Sequence, residues 1–275
     1  MRIHLHETFC GSGFHITGNA RTRLENTDEM LSWRGSLSYK PAENGNIYVS
    51  SGTSFNPSGE NLSLASTANA ANNFNLGPEK SISYEVGTKW DFFKDALLLS
   101  AAVFRTDKTN ARTEDPANPA DFVVLDGEQR VQGVELGAVG QLTKEWSVMA
   151  GYAYMDGEII SSNNPLEVGK RLSSTPWNSA NLWTVYAFPF HLDVGAGVSY
   201  VGNRVVNTTG TREVPGYATF DAMAAYHVNS HFTLRLNAYN LADKEYVMDM
   251  YNIGSSGHVI PGPGRSAVLS GEFKF

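Results

Sequence analysis

Cysteine is almost absent from these 275 residues, Cys10 being the only one. A lone thiol excludes an internal disulfide framework and any CxxC metal site. Charge is sparse as well, at 18% against the usual ~25%, and it sums to −7. Nucleic-acid binding, which calls for a basic patch, gains no support from that balance. No apolar run approaches the ~20 residues of a membrane-spanning helix, and mean hydropathy is −0.27. Strands escape this exclusion, because a barrel strand crosses a membrane in ~9–11 alternating residues. Nor do the first residues read as a secretory leader. MRIHLHETFCGSGFHITGN has no basic start followed by an apolar core,. GxSxG, HExxH, a Walker loop and a dinucleotide fingerprint are all absent, so no catalytic constellation is expected. His4, His6, Cys10 and His15 lack ligand spacing, and no metal site is expected from them,.

What is plentiful is aromatic side chains, at 11%, and glycine, at 26 residues. This mixture suits many strands and turns rather than a helical bundle. The final stretch, Gly264 to Phe275, shows the pattern best. Ala267, Leu269, Gly271, Phe273 and Phe275 share one parity; Ser266, Ser270, Glu272 and Lys274 share the other. A period of two is a strand with one apolar and one polar face. Eleven strands are predicted: 29–40, 46–55, 79–91, 96–106, 122–142, 146–156, 175–188, 191–203, 216–228, 231–241 and 264–275. Strands 96–106 and 175–188 are apolar on both parities over part of their length, so their faces stay unassigned.

The connections alternate in length. Tight turns fall near 41–45, 92–95, 143–145, 189–190 and 229–230. Long polar loops fall near 56–78, 107–121, 157–174, 204–215 and 242–263. Short on one side and long on the other is the asymmetry of an outer-membrane barrel. Aromatics gather at the short-turn end: Tyr39, Tyr48, Trp90, Phe92, Phe93, Trp146, Phe188, Phe190, Tyr226, Phe232, Phe273 and Phe275. Such a row reads as an interfacial girdle, and Trp90, Phe92, Trp146, Phe188, Phe232, Phe273 and Phe275 are its expected anchors. A soluble β-sandwich binding module is the alternative, although its large residues belong mid-strand.

Five blocks then carry a resemblance: PEKSISYEVGTKWDFF (78–93), RVQGVELGAVGQL (130–142), LSSTPWNSANLWTVY (172–186), VPGYATFDAMAAYHV (214–228) and LRLNAYNLADKEY (234–246). In this order they resemble the C-terminal barrel of TonB-dependent outer-membrane receptors, the ferric-siderophore branch above all, over residues 21–275. The resemblance implies an all-β antiparallel transmembrane barrel, with about eleven strands here of an expected 22. It implies a plug domain and a TonB-engaging segment that have no counterpart in this chain. Residues 1–20 are then an atypical segment, in keeping with an aberrant start, and the chain is expected to be a truncated form. Expected partners are a ferric siderophore, outer-membrane lipid and, for the intact protein, TonB and the barrel-assembly machinery. Iron enters only as chelated substrate, with no cofactor, and no enzyme activity is implied. A passive pore formed by two copies remains an alternative reading, as does an outer-membrane hydrolase.

A receptor for anionic or neutral iron chelates needs aromatic rings and hydrogen-bond donors near its mouth. Arg105, Lys108, Arg112, Lys170, Arg171, Arg204, Arg212, Tyr251 and His258 are the candidates, with Tyr200 and Tyr246 as further stacking groups. The acidic run Glu114, Asp115, Asp121, Asp126 and Glu128 reads as a solubilising loop. NLADKEY (240–246) is expected to shape the last long loop rather than to touch ligand.

Overall fold

The structure is a computed structural model that describes residues 7–17, 20–56, 77–114, 123–253 and 256–275. Its strands are β1 (Glu7–Thr17), β2 (Ala20–Met30), β3 (Arg34–Ala42), β4 (Gly45–Asn56), β5 (Glu79–Phe92), β6 (Leu97–Glu114), β7 (Val123–Gln141) and β8 (Trp146–Ser161). They continue with β9 (Asn178–Phe188), β10 (Leu192–Val201), β11 (Arg204–Val205), β12 (Glu213–Val214), β13 (Tyr217–His227) and β14 (Phe232–Tyr239). The last three are β15 (Val247–Ile253), β16 (Ser256–Pro261) and β17 (Ser266–Phe273). Eleven of them form one sheet, in the order β17-β14-β13-β10-β9-β8-β7-β6-β5-β4-β3. Every neighbouring pair is antiparallel. The three remaining pairs, β1–β2, β11–β12 and β15–β16, stand outside it.

These eleven strands follow the predicted eleven in order, with three differences. The expected first strand, 29–40, is interrupted at Leu31–Trp33, so its start belongs to β2 and its remainder to β3. Trp33 stays with β3: its N–H donates to Thr53 Oγ1 at 3.2 Å and its carbonyl accepts from the Thr53 N–H at 2.9 Å, continuing the pairing with β4. The β1–β2 hairpin runs across the boundary drawn at residue 20. Strands β6 and β8 extend to Glu114 and Ser161, well past the polar residues expected to end them. Antiparallel pairing with β7 carries both onward, through register shifts after Lys108 and Ala111 on the β6 side.

Register turns the alternation into two continuous faces. Val49 lies opposite Val86, Val86 opposite Val103, Val103 opposite Val134 and Val134 opposite Tyr154. One residue away, Ser50, Glu85, Phe104, Gly133 and Met155 line up across the same five strands. Pairing also assigns the two ambiguous strands. Leu99, Ala101 and Val103 of β6 join the apolar face, as do Leu182 and Tyr186 of β9, while Ser100, Phe104, Asn181 and Trp183 join the other. Glycine clears the polar face where rings lie across it; a Cβ on Gly197 would sit 2.3 Å from the Trp183 ring.

Among the described residues no second layer covers the apolar face. Leu37, Val49, Val86, Val103, Leu136, Leu182, Leu236 and Leu269 all remain exposed. A sandwich would bury such a row against a facing sheet, so the sandwich reading does not survive. At the turn end this face carries Trp90, Phe92, Trp146, Phe188, Phe232 and Phe273. Phe232 stacks on Phe273 at 4.5 Å and Phe188 on Phe190 at 5.2 Å, while Phe275 follows, exposed, at the terminus. Tyr48, grouped with them from sequence, instead faces the polar side and donates to Glu85 Oε1 at 2.5 Å. A second aromatic row, absent from the sequence reading, runs through Tyr84, Tyr152, Tyr154, Tyr200 and Phe220 on the apolar face. It lies six to eight residues from the first row, about 20–27 Å along a strand; with strands tilted ~35–45° this is roughly 15–22 Å of depth, most of the ~25 Å apolar band of a membrane barrel.

Adjacent residues midway between the two rows test this assignment. Ala150→Arg is expected to destabilise the protein in lipid by about 2–4 kcal/mol, whereas Met149→Arg, on the other face, costs less than about 1 kcal/mol. Urea titrations in lipid vesicles, followed by tryptophan fluorescence, measure both.

Candidate functional site

Beyond the second aromatic row the strands rise clear of the apolar band, and the described loops 162–177 and 202–216 join them. Glu79, at the start of β5, organises this end. It lies five residues past Tyr84, about 17 Å along the strand, and is 5% exposed. Lys108 Nζ approaches its Oε2 at 2.8 Å, Asn56 Nδ2 donates to the same oxygen at 2.9 Å, and the Arg112 N–H donates to Oε1 at 3.1 Å. Burial pushes the carboxyl up. The hydrogen bonds from Lys108, Asn56 and the Arg112 backbone outweigh it and hold Glu79 below the ordinary carboxylate value,.

Glu167 is a second hub. Its carboxylate accepts from Ser162 Oγ at 2.7 Å and from Thr208 Oγ1, joining the 162–177 loop to the 202–216 loop. Ser162 also meets Thr113 Oγ1 of β6 at 2.8 Å. Arg171 donates to the carbonyls of Thr175 and Asn203, and its guanidinium lies 4.4 Å from the Trp177 ring centroid. Arg204, 4% exposed, donates through Nη2 to the carbonyls of Val247 and Met248, tying the loop to β15. Its Nη1 has no partner among the described residues. Buried Val205, Val206 and Val214 pack this loop beside it.

Below the loops, the polar face carries an open groove of about 370 Å³. Arg34, Ser50, Ser83, Glu85, Thr106 and Glu135 line it together with Trp33, Tyr84 and Phe104, a mixed surface of hydroxyls, carboxylates, one guanidinium and aromatic groups. Further toward the turns, Lys89 lies 5.6 Å from the Tyr48 ring centroid. At the turn end, His191, His227, His231 and Glu272 face one hollow, and His227 Nε2 meets Asp193 Oδ2 at 2.8 Å.

The predicted ligand residues are therefore scattered. Arg105 stands opposite Tyr84 on the apolar side, paired with Asp107 at 2.8 Å; Arg130 pairs with the same carboxylate at 2.7 Å. Tyr200 also faces that side. Lys108 and the Arg112 backbone serve Glu79, and Arg171 and Arg204 join loops. Lys170 is exposed beside Arg171, and the Arg212 backbone is held by Asn207 Oδ1 at 3.1 Å. Tyr251 and His258 lie opposite each other in the β15–β16 hairpin. His4, His6, Asp115 and Asp121 lie outside the described residues. In the last loop Asn240 is 4% exposed and adopts a left-handed φ of 48°. Its amide donates to the carbonyls of Lys244 and Pro263, and its own N–H donates to Asp221. Tyr246 stacks on Tyr217 at 4.1 Å. Sequence reasoning passed over Glu79 and Glu167 as organisers, whereas Asn240 belongs to the NLADKEY stretch expected to shape the last long loop. Parity placed Glu85 on the polar face, but nothing local marks a carboxylate that gathers donors from distant loops.

A single antiparallel sheet with an uncovered apolar face between two aromatic rows, a polar opposite face, and long loops at one end defines the wall of a membrane-spanning β-barrel. A sequence model described as "TonB dependent receptor-like, beta-barrel" matches residues 11–241, and the chain belongs to that family of outer-membrane barrels. It is 37% identical over 264 residues to the probable TonB-dependent siderophore receptor PiuA of Acinetobacter baumannii, covering 91% of this chain and 35% of that protein. Against the catecholate siderophore receptor Fiu of Escherichia coli K12 the identity is 32%, over 90% of this chain and 33% of Fiu. The crystal structure of PiuA superposes with a TM-score of 0.85 at 35% identity, over 94% of this chain and 38% of PiuA. The chain thus spans about a third of the length of the curated relatives it matches. These relatives are transport receptors rather than enzymes.

Two measurements check this mouth. Because the folded pKa of Glu79 is depressed, its contribution is complete above the unfolded value and is lost as pH falls through the folded one, below about pH 4. Hydrogen exchange at the Arg112 amide is expected to accelerate there, and Glu79→Gln to abolish that pH dependence. Arg204→Met is expected to raise protease cleavage within residues 247–261 several-fold, with little change in the thermal transition of the main sheet.

Proposed function

We propose that this chain forms the C-terminal wall of an outer-membrane receptor that takes up ferric siderophores, with energy delivered through TonB in the intact protein. The two-faced eleven-stranded sheet carries this reading, since it places a polar wall and a braced loop cluster on a membrane barrel whose relatives are named for siderophore uptake. The long-loop end is the entry side. There Arg171 with Trp177, Lys170 and His258 offer donors and a ring to an anionic, aromatic chelate. The groove then offers the hydroxyls of Ser50, Ser83 and Thr106 and the Arg34 guanidinium as donors along the inner wall. A ferric catecholate fits this chemistry best, because charge-assisted donors and ring faces recognise its oxygens and aryl groups together. Iron travels as part of the substrate. Lys108 and Arg204 act by fixing loops.

A chimera tests the proposal. PiuA of Acinetobacter baumannii with its corresponding C-terminal segment replaced by this chain is expected to restore ferric-catecholate uptake to an iron-starved strain lacking its own receptors. Loss of uptake by a chimera that still reaches the outer membrane and assembles contradicts it.

A further inference from the structure

We propose that Arg105 and Arg130, bridged by Asp107 on the outward face, form a binding site for the phosphate of an outer-leaflet lipid. This inference rests on the membrane-barrel reading above. Register fixes the place. Arg105 of β6 lies opposite Tyr84 of β5, and the Asp107–Arg130 pair lies two residues further toward the long loops. Tyr84 belongs to the second aromatic row, and interfacial rings sit at headgroup level. Two residues of a tilted strand raise the pair roughly 5 Å above those rings, to the depth of lipid phosphates.

Charge and geometry say what is bound. Asp107 accepts from Nε and Nη2 of Arg105 at 2.8 and 3.1 Å and from Nε of Arg130 at 2.7 Å. Two guanidiniums thus share one carboxylate, and one positive charge is left over on a face turned to lipid. Nη1 of Arg105 and both Nη groups of Arg130 have no partner among the described residues, and the two side chains are 47% and 31% exposed. Guanidinium forks match phosphate oxygens in pairs, and Asp107 holds both forks in place beforehand. On the next strand, Glu158 lies opposite Arg130 without bonding to it, and Asp156 takes its bond from Gln132. The outward face also says which phosphate. Val86, Val103 and Val134 stand side by side two residues below Tyr84, Arg105 and Gln132; Val86 and Val103 are exposed and Val134 half-buried. A phosphate held by the arginines lays its acyl chain down this row. A free phosphate ion gains nothing from the valines, so the surface is matched to a phosphorylated lipid.

Native mass spectrometry from detergent micelles tests this. The cluster lies mid-sheet, on β6 and β7, so the full chain carries it whole. Dioleoylphosphatidic acid and dioleoylphosphatidylcholine are offered at equal concentration, and the ratio of the two retained is read. The full chain is expected to prefer phosphatidic acid by about tenfold, and Arg105→Gln/Arg130→Gln to bring the ratio close to unity. Arg105→Lys/Arg130→Lys keeps the charge without the forks, and its ratio is expected to fall between the two. Lys144→Gln removes a charge of the same sign at the turn end and is expected to leave the ratio unchanged. Excess inorganic phosphate is expected not to displace the lipid; displacement overturns the lipid assignment. A ratio near unity for the unaltered chain, or one that survives Arg105→Gln/Arg130→Gln, overturns the proposal and leaves the membrane reading intact. So does a ratio that Lys144→Gln lowers as far. A chain that remains soluble and monomeric without detergent overturns the membrane reading itself.

Discussion

Hydrocarbon offers no hydrogen bonds, so each amide of a strand that faces it must be satisfied by a neighbouring strand. This constraint shapes the whole chain. It makes the structure one wide sheet instead of two packed layers, and it keeps the pairs in unbroken register through the apolar band. The register shifts between β6 and β7 come only after Lys108, above the second aromatic row, where water reaches the backbone. The apolar face stays bare because lipid is to cover it, and the polar face carries hydroxyls, carboxylates and glycine because it faces the interior of the barrel.

Most of the sheet was legible in the sequence for the same reason. A membrane strand repeats its environment every two residues, so parity alone locates Val86, Tyr84 and Ile82 on one side and Glu85 and Ser83 on the other. Where both parities are apolar the signal vanishes. Trp183 and Phe104 are large residues on the inner face, and only cross-strand pairing reveals their side. Strand ends were misjudged where polarity was taken to mean loop. In β6 and β8 the polar residues belong to strand segments that have left the membrane, where alternation no longer reports burial.

The loops were legible only as loops. Glu79, Glu167, Arg204 and Asn240 each bind groups between 4 and 44 positions away in the chain, and no local pattern encodes such partnerships. A cation near a presumed mouth suggests a ligand contact. In the folded chain, Lys108 answers a buried carboxylate and Arg204 answers two backbone carbonyls. A basic side chain in a long loop has two uses, and composition cannot separate them.

The length of β6 and β7, at 18 and 19 residues, carries a consequence for where capture takes place. Crossing the bilayer uses about eleven residues, and the surplus lifts a rigid collar some 25 Å along the strand direction. In the proposed receptor, the loops therefore sample the medium from above the charged headgroups of the outer leaflet. A chelate that is itself anionic then meets the protein before it meets the electrostatic barrier of the cell's own surface.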